Sequence, residues 1–127
     1  MMNKCKSIGV AIIIIPMMMA VTCLADGVIV VIKNGKVERR DASSGSYTGT
    51  AGHSGAVSAA TDGETIVVVY ADGKAERYAA KSGSYTGTVG SGNARSCQVT
   101  SGVIAITYND GKSLRYDAKT GSYKGTL

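Results

Sequence analysis

The chain has 127 residues, 44% hydrophobic and 18% charged, with 14 basic residues against 9 acidic for a net charge of +5. That length holds one modest core and no second domain once any leader is removed. A charge this mild, with its basic residues spaced along the chain, argues against a dedicated nucleic-acid surface.

Residues 1–25 read as a cleavable export signal. Lys4 and Lys6 give a positive start, residues 8–21 form an apolar run, and the small residue Ala25 suits a signal-peptidase cut before Asp26. The run is shorter than the ~20 residues a spanning helix needs, so cleavage is expected over an anchor, with no membrane contact afterwards. Lipidation at Cys23 is the alternative, through a loose lipobox at Ala20-Val21-Thr22-Cys23. The expected address is periplasmic or secreted. Cleavage removes Lys4 and Lys6 and lowers the net charge to +3. It also removes Cys5 and Cys23, so Cys97 has no internal disulfide partner and reads as a small buried hydrophobe.

Three copies of one pattern follow. Val28 to Ile32, Asn34-Gly35 and Lys36 to Arg40 open the first. Ile66 to Tyr70, Asp72-Gly73 and Lys74 to Tyr78 match them in the second, and Ile104 to Tyr108, Asp110-Gly111 and Lys112 to Tyr116 in the third. The first segment of each is β-branched and aromatic, which fits a strand. Asn-Gly and Asp-Gly favour the positive φ angles of a tight primed turn, so each pair is predicted to be a β-hairpin. Each hairpin runs into a turn ending in Gly45, Gly83 or Gly121. After it comes the phrase Gly45-Ser46-Tyr47-Thr48-Gly49-Thr50, unchanged from Gly83 and with Lys124 as the one substitution from Gly121. The period is 38 residues without drift, the mark of a stacked repeat. Tyr47, Tyr85 and Tyr123 begin a short third strand. Ala56 to Ala60 and Arg95 to Val99 supply a fourth, after the loops at Gly52-His53-Ser54-Gly55 and Gly90-Ser91-Gly92-Asn93.

The strands Val28–Ile32 and Ile66–Tyr70 are apolar at every position, where an antiparallel sheet with one wet face would alternate. Both faces are therefore expected to be covered, as in blades stacked round an axis. Nearby small residues (Ala56, Ala59, Ala60, Ala79, Ala80) let sheets approach closely. The expected fold is all-β, a partial β-propeller of tandem four-stranded antiparallel blades over 26–127, with repeats near 26–50, 51–88 and 89–127. The alternative is a β-trefoil.

Asp110-Gly111-Lys112 followed by Tyr116-Asp117-Ala118-Lys119-Thr120-Gly121 resembles the propeller repeat of the quinoprotein-like, PQQ-type and YVTN-type families. The resemblance spans 26–127 and implies an Asp-Gly hairpin and an Asp-Ala-x-Thr-Gly turn leading to an outer strand. The chain departs from it at Ala79, which stands where Asp is usual, and in having no Trp after the turn. Tyr47, Tyr85 and Tyr123 take the place of that docking aromatic. Nothing matches the residues that hold a quinone, so no cofactor is implied. Small lectins that assemble propellers from short chains share a faint similarity at Gly73 to Arg77, without their sugar-stacking Trp.

The first copy lacks a strand, giving 11 strands where three full blades need twelve, and closed propellers typically use about four to eight blades. Unpaired edges at both ends favour a homo-oligomer. His53 is the only histidine and has no ligand cluster in its loop, so no metal site or triad is expected. No Gly-x-Ser-x-Gly elbow or phosphate loop occurs. A non-enzymatic binding or scaffold module is expected. The candidate ligand-binding residues are the periodic Arg39, Arg77 and Arg115, with Lys36, Lys74 and Lys112. Their guanidinium forks and ammonium groups suit a carbohydrate or an anionic polymer. The competing role for them is a solvated strand face.

Overall fold

A computed structural model of the chain describes residues 27–127. The expected signal segment, its cleavage point and Cys23 lie outside the described residues.

Eleven strands form three antiparallel sheets. The first sheet holds β1 (Val28–Lys33), β2 (Lys36–Asp41) and β3 (Tyr47–Ala51) in that order. The second holds β4 (Ala56–Thr61), β5 (Thr65–Tyr70), β6 (Ala75–Ala79) and β7 (Tyr85–Val89). The third repeats it with β8 (Ala94–Thr100), β9 (Val103–Tyr108), β10 (Ser113–Asp117) and β11 (Tyr123–Thr126). Each strand pairs with its neighbour in sequence, because the connections are short turns. This is the expected partial β-propeller. The sheets stack face to face and the trefoil alternative is set aside.

The middle sheet shows why β5 has no polar position. Ile66, Val68 and Tyr70 point toward the first sheet, in a cluster with Val37, Ala51, Ala56, Tyr78 and Ala80. Val67 and Val69 point the other way, among Ile104, Ile106, Tyr108, Tyr116 and Cys97 of the third sheet. Every residue from Ile66 to Tyr70 is buried. Burying one such Val or Ile side chain contributes roughly 1.5–3 kcal/mol. Cys97 takes the buried place expected for it, with its Sγ 3.4 Å from the Val67 carbonyl oxygen.

In β1 only one face is covered within the described residues. Val28 and Val30 pack toward the second sheet, but Ile29 remains 43% exposed. Among the described residues no sheet precedes the first, so its outer face is open. The hairpins also differ. Asn34 and Gly35 both have positive φ, 54° and 77°, as a primed two-residue turn requires. The second and third hairpins depart from the primed turn expected of them. Gly73 and Gly111 are at φ 88° and 90°, but Asp72 and Asp110 are not at positive φ. Each instead closes a three-residue loop, with Tyr70 N–H donating to the Lys74 carbonyl at 2.9 Å in the second sheet. The Asp72 carboxylate accepts from Lys74 N–H at 3.0 Å, an Asx turn that holds this shape.

The extra loop residue shifts register by one. Val30 opposes Arg39, whereas Val67 opposes Arg77 and Ala105 opposes Arg115. A one-residue shift turns a strand over. Because Val28 to Ile32 is apolar throughout, the strand tolerates being turned.

Candidate functional site

The arginine of each repeat organises the boundaries between sheets. Arg39 projects from β2 toward the second sheet, 8% exposed. Its Nη1 donates to the carbonyl oxygens of Lys81 at 2.9 Å and Ala80 at 3.4 Å. Its Nε donates to Thr50 O at 3.0 Å and its Nη2 to Thr48 O at 3.4 Å. Arg77 repeats the contact one sheet on, reaching Lys119 O at 2.8 Å and Ala118 O at 3.4 Å while Nη2 holds Thr86 O at 3.3 Å. Each guanidinium spans its own edge strand and the turn of the next sheet. Charge-assisted hydrogen bonds of this kind are about twice as strong as neutral ones.

This explains the glycines of the repeated phrase. A Cβ at Gly49 would collide with Arg39, and one at Gly87 with Arg77, because the guanidinium crosses the edge strand there. At Gly83 a Cβ would lie 2.9 Å from Arg39 Nε, and at Gly121 3.1 Å from Arg77 Nε. The second glycine of each phrase clears its own arginine, and in the second and third phrases the first clears the arginine of the preceding sheet. The β-bulges next to Arg39, Arg77 and Arg115 aim the side chains outward over these gaps.

The ends of the stack hold half of this arrangement each. Arg115 is less buried than Arg39 and Arg77, and Nη2 reaches only Lys124 O, at 3.3 Å. At the other end Ala42 is exposed, while its equivalents Ala80 and Ala118 are 0% and 2% exposed.

The predicted ligand residues therefore separate. The structure does not gather the three arginines on one open face, and it places Arg39 and Arg77 between sheets. Lys36, Lys74 and Lys112 are exposed. Lys112 lines a cleft of about 330 Å³ with Tyr108, Asn93 and Asp110, and Lys74 lines the adjoining cleft, which shares Asn93. Lys36 lies at the turn of the first hairpin. The sequence reading missed Asn93, which sits at φ 62° between the two clefts. Its place in a Gly-rich loop was the available signal.

One tyrosine pair backs each sheet boundary. Tyr70 and Tyr78 hydroxyls are 2.7 Å apart and those of Tyr108 and Tyr116 2.6 Å. Tyr78 also donates to Glu76. Burial first, then these hydrogen bonds, push the Tyr78 phenol well above its ordinary value, and burial with Tyr116 does the same to Tyr108. His53 stacks on Tyr70 with centroids 4.0 Å apart, and its Nε2 lies 3.7 Å from Glu76. Among the described residues no group of three His, Cys, Asp or Glu side chains could hold a metal. Burial pushes the Cys97 thiol up to about 11, against a lowering bond from Ser58, which keeps it un-ionised at neutral pH. Tyr47, Tyr85 and Tyr123 stand on the outer strands at 56%, 58% and 59% exposure. Tyr85 and Tyr123 meet Tyr78 and Tyr116 edge-on at 5.8 and 5.9 Å, so they dock within their own sheets.

The architecture is that of a propeller segment, and comparison with solved structures places it there. The WD40 repeats of RRP9 superpose with a TM-score of 0.65 at 17% identity, over 80% of this chain and 35% of that one. The computationally designed Ika8 protein gives 0.63 at 19% identity, over 77% and 32%. BamB from Moraxella catarrhalis gives 0.52 at 21% identity, over 80% and 33%. The chain thus spans about a third of the length of these structures. No family model matches the chain, and no curated protein matches it.

Proposed function

We propose that the chain is an exported, non-enzymatic β-propeller module that works in binding or scaffolding through self-association. The observation that carries this reading is the open outer face of the first sheet, where Ile29 is 43% exposed while Ile66 in the second sheet is fully buried. A sheet face left in water beside an unpaired β1 edge favours a partner that covers it. Covering apolar surface contributes ~25 cal/mol per Å², against the entropy of association. Light scattering on the purified chain tests this, with a defined oligomer expected at tens of micromolar. A stable monomer there would remove the reading. Export is checked separately by intact mass, with the secreted chain expected to begin at Asp26. Retention of residues 1–25, or a lipid on Cys23, would refute cleavage before Asp26.

A lectin-like reading stands second. It is favoured by the exposed Tyr47, Tyr85 and Tyr123 and by the Lys74 and Lys112 clefts, which offer aromatic, amide, carboxylate and ammonium groups to a carbohydrate or an anionic polymer. A rise in melting temperature with an added oligosaccharide or sulfated polymer is its expected result.

A further inference from the structure

The two internal boundaries are built the same way, and each needs two halves. One half is an arginine over the edge strand of the leading sheet. The other is the turn of the following sheet, whose first two carbonyl oxygens accept Nη1 and whose glycine leaves room for the guanidinium. Arg39 with Ala80 and Lys81 makes one boundary, and Arg77 with Ala118 and Lys119 makes the other. Among the described residues the third sheet keeps a leading half without the matching turn. Arg115 crosses above Gly125, where a Cβ would come within 2.8 Å of Nη2. Among the described residues the first sheet keeps a following half without the matching arginine. Ala42, Ser43 and Gly45 are exposed, and a Cβ at Gly45 would meet nothing within 4 Å.

We propose that Arg115 is the latch on which a second copy of this chain docks its first sheet, Nη1 donating to the Ala42 and Ser43 carbonyl oxygens of that copy. The inference rests on the self-association proposed above and specifies its geometry. Continuity with the two boundaries already made identifies the occupant, since Arg115, Ala42 and Gly45 stand at the same phase as Arg39 and Arg77, Ala80 and Ala118, and Gly83 and Gly121, and Ser43 offers the backbone carbonyl that Lys81 and Lys119 offer. Docking of this kind is head-to-tail. Two copies close on each other through two identical latches and supply six sheets, inside the range of about four to eight blades that closed propellers use.

The end faces carry their own adjustment to being exposed before assembly. Positions held by Val67, Val69 and Ala75 in the second sheet are Ala105, Thr107 and Ser113 in the third. Positions held by Tyr70 and Tyr78 are Lys33 and Arg40 in the first. Polar outer faces keep the ends of a repeat stack soluble. A junction with less apolar area depends more on its hydrogen bonds, so the latch weighs more there than inside the chain.

Sedimentation of the purified chain, with Arg115→Ala, Arg115→Lys and Ala42→Arg, tests the proposal. The unaltered chain is expected at twice the monomer mass. Arg115→Ala is expected to weaken association by about a hundredfold or more, one charge-assisted hydrogen bond worth about tenfold being lost at each of the two latches. Its far-UV spectrum and monomer melting temperature should not change. Arg115→Lys should not restore the dimer, because a single ammonium cannot hold its own edge strand and reach the following turn at once, as Nη2 and Nη1 of Arg77 do. Ala42→Arg fills the opposite half and should give the same monomer, so the test survives a folding defect in either variant. If the Arg115 and Ala42 variants dimerise like the unaltered chain, the latch is wrong while self-association stands. If the unaltered chain is itself a monomer, both fail. A fixed mass other than two copies overturns the closed pair.

Discussion

Arg77 is the most buried cation in the described residues. It is buried, two carbonyls of the neighbouring sheet share its Nη1, and its Nε has no hydrogen-bond partner. Arg77→Ala removes the donor and leaves the Lys119 and Ala118 carbonyls without it, so a stability loss of about 2–3 kcal/mol is expected by chemical denaturation. A loss below about 0.5 kcal/mol would mean that the two sheets hold together by apolar contact alone. The glycines that admit these boundaries make a second comparison. Gly73 and Gly111 have nearly the same φ, 88° and 90°. A Cβ at Gly73 would lie 2.8 Å from Asn93 N, where the turn passes against the third sheet, and one at Gly111 would meet nothing within 4 Å. Gly111→Ala should therefore cost about 1 kcal/mol, the left-handed backbone strain alone. Gly73→Ala should cost that plus a further ~1–3 kcal/mol of crowding. Equal losses in the two melts would remove the close approach at Gly73 as a source of stability.

The strands and their order were legible because each carries its own local signal: β-branched runs, Asn-Gly or Asp-Gly, and a Gly-closed turn at constant spacing. The register of β1 was not. An alternating strand declares which side is in, as β9 does with Ile104, Ile106 and Tyr108 buried and Ala105 and Thr107 between them. Val28 to Ile32 is apolar throughout, so only the turn fixes its phase. Asn34 accepts a positive φ that Asp72 and Asp110 decline in favour of an Asx turn. The latch was hidden for a related reason. A strand arginine at constant phase is the same signal whether it faces solvent or a neighbouring sheet, and only the glycines opposite it tell the two apart. The turns between strands also tie sheets together. Asp62, at the end of β4, accepts from Glu64 and Thr65 N–H at 2.9 and 3.0 Å and, across the boundary, from Gly102 N–H at 2.9 Å. Burial works to raise its pKa, but these three backbone donors outweigh it and hold it below the ordinary 3.8. The stability it lends is complete above that ordinary value and is lost as pH falls through its lower folded value. Melting temperature should therefore drop on acidification below 3.8. Asp62→Asn, which keeps an acceptor but has no carboxylate to protonate, should show a shallower drop. An identical acid profile for the two proteins would mean that the Gly102 contact contributes nothing through charge.

Across the stack, each of the first two sheets is finished by the next: its arginine finds a turn, its inner apolar face finds a partner, and its Asn-Gly or Asp-Gly loop finds a backbone to rest on. Gly35 and Gly73 carbonyls accept from Ala56 and Ala94 N–H at 2.8 and 2.9 Å, so even the hairpin tips are tied forward. The register shift in the first sheet decides which residues test the ends. The 38-residue phase alone points to Val30 as a residue whose charge would break up an assembly. The actual register turns Val30 inward against the second sheet and leaves Ile29 and Val31 on the outer face. Val30→Asp should therefore lower the melting temperature of the chain itself, by burying a carboxylate against Ile66 and Val68 at a cost of several kcal/mol. Ile29→Asp should leave that melt within about 0.5 kcal/mol of the unaltered chain, as a surface substitution does. In the self-association proposed here, Ile29→Asp puts a charge on the face that the second copy covers, so it should shift the sedimentation profile to monomer. The pair separates fold from assembly in one experiment. If Ile29→Asp destabilises the monomer as much as Val30→Asp does, the outer face is not open. If it leaves both melt and mass unchanged, the second copy docks elsewhere.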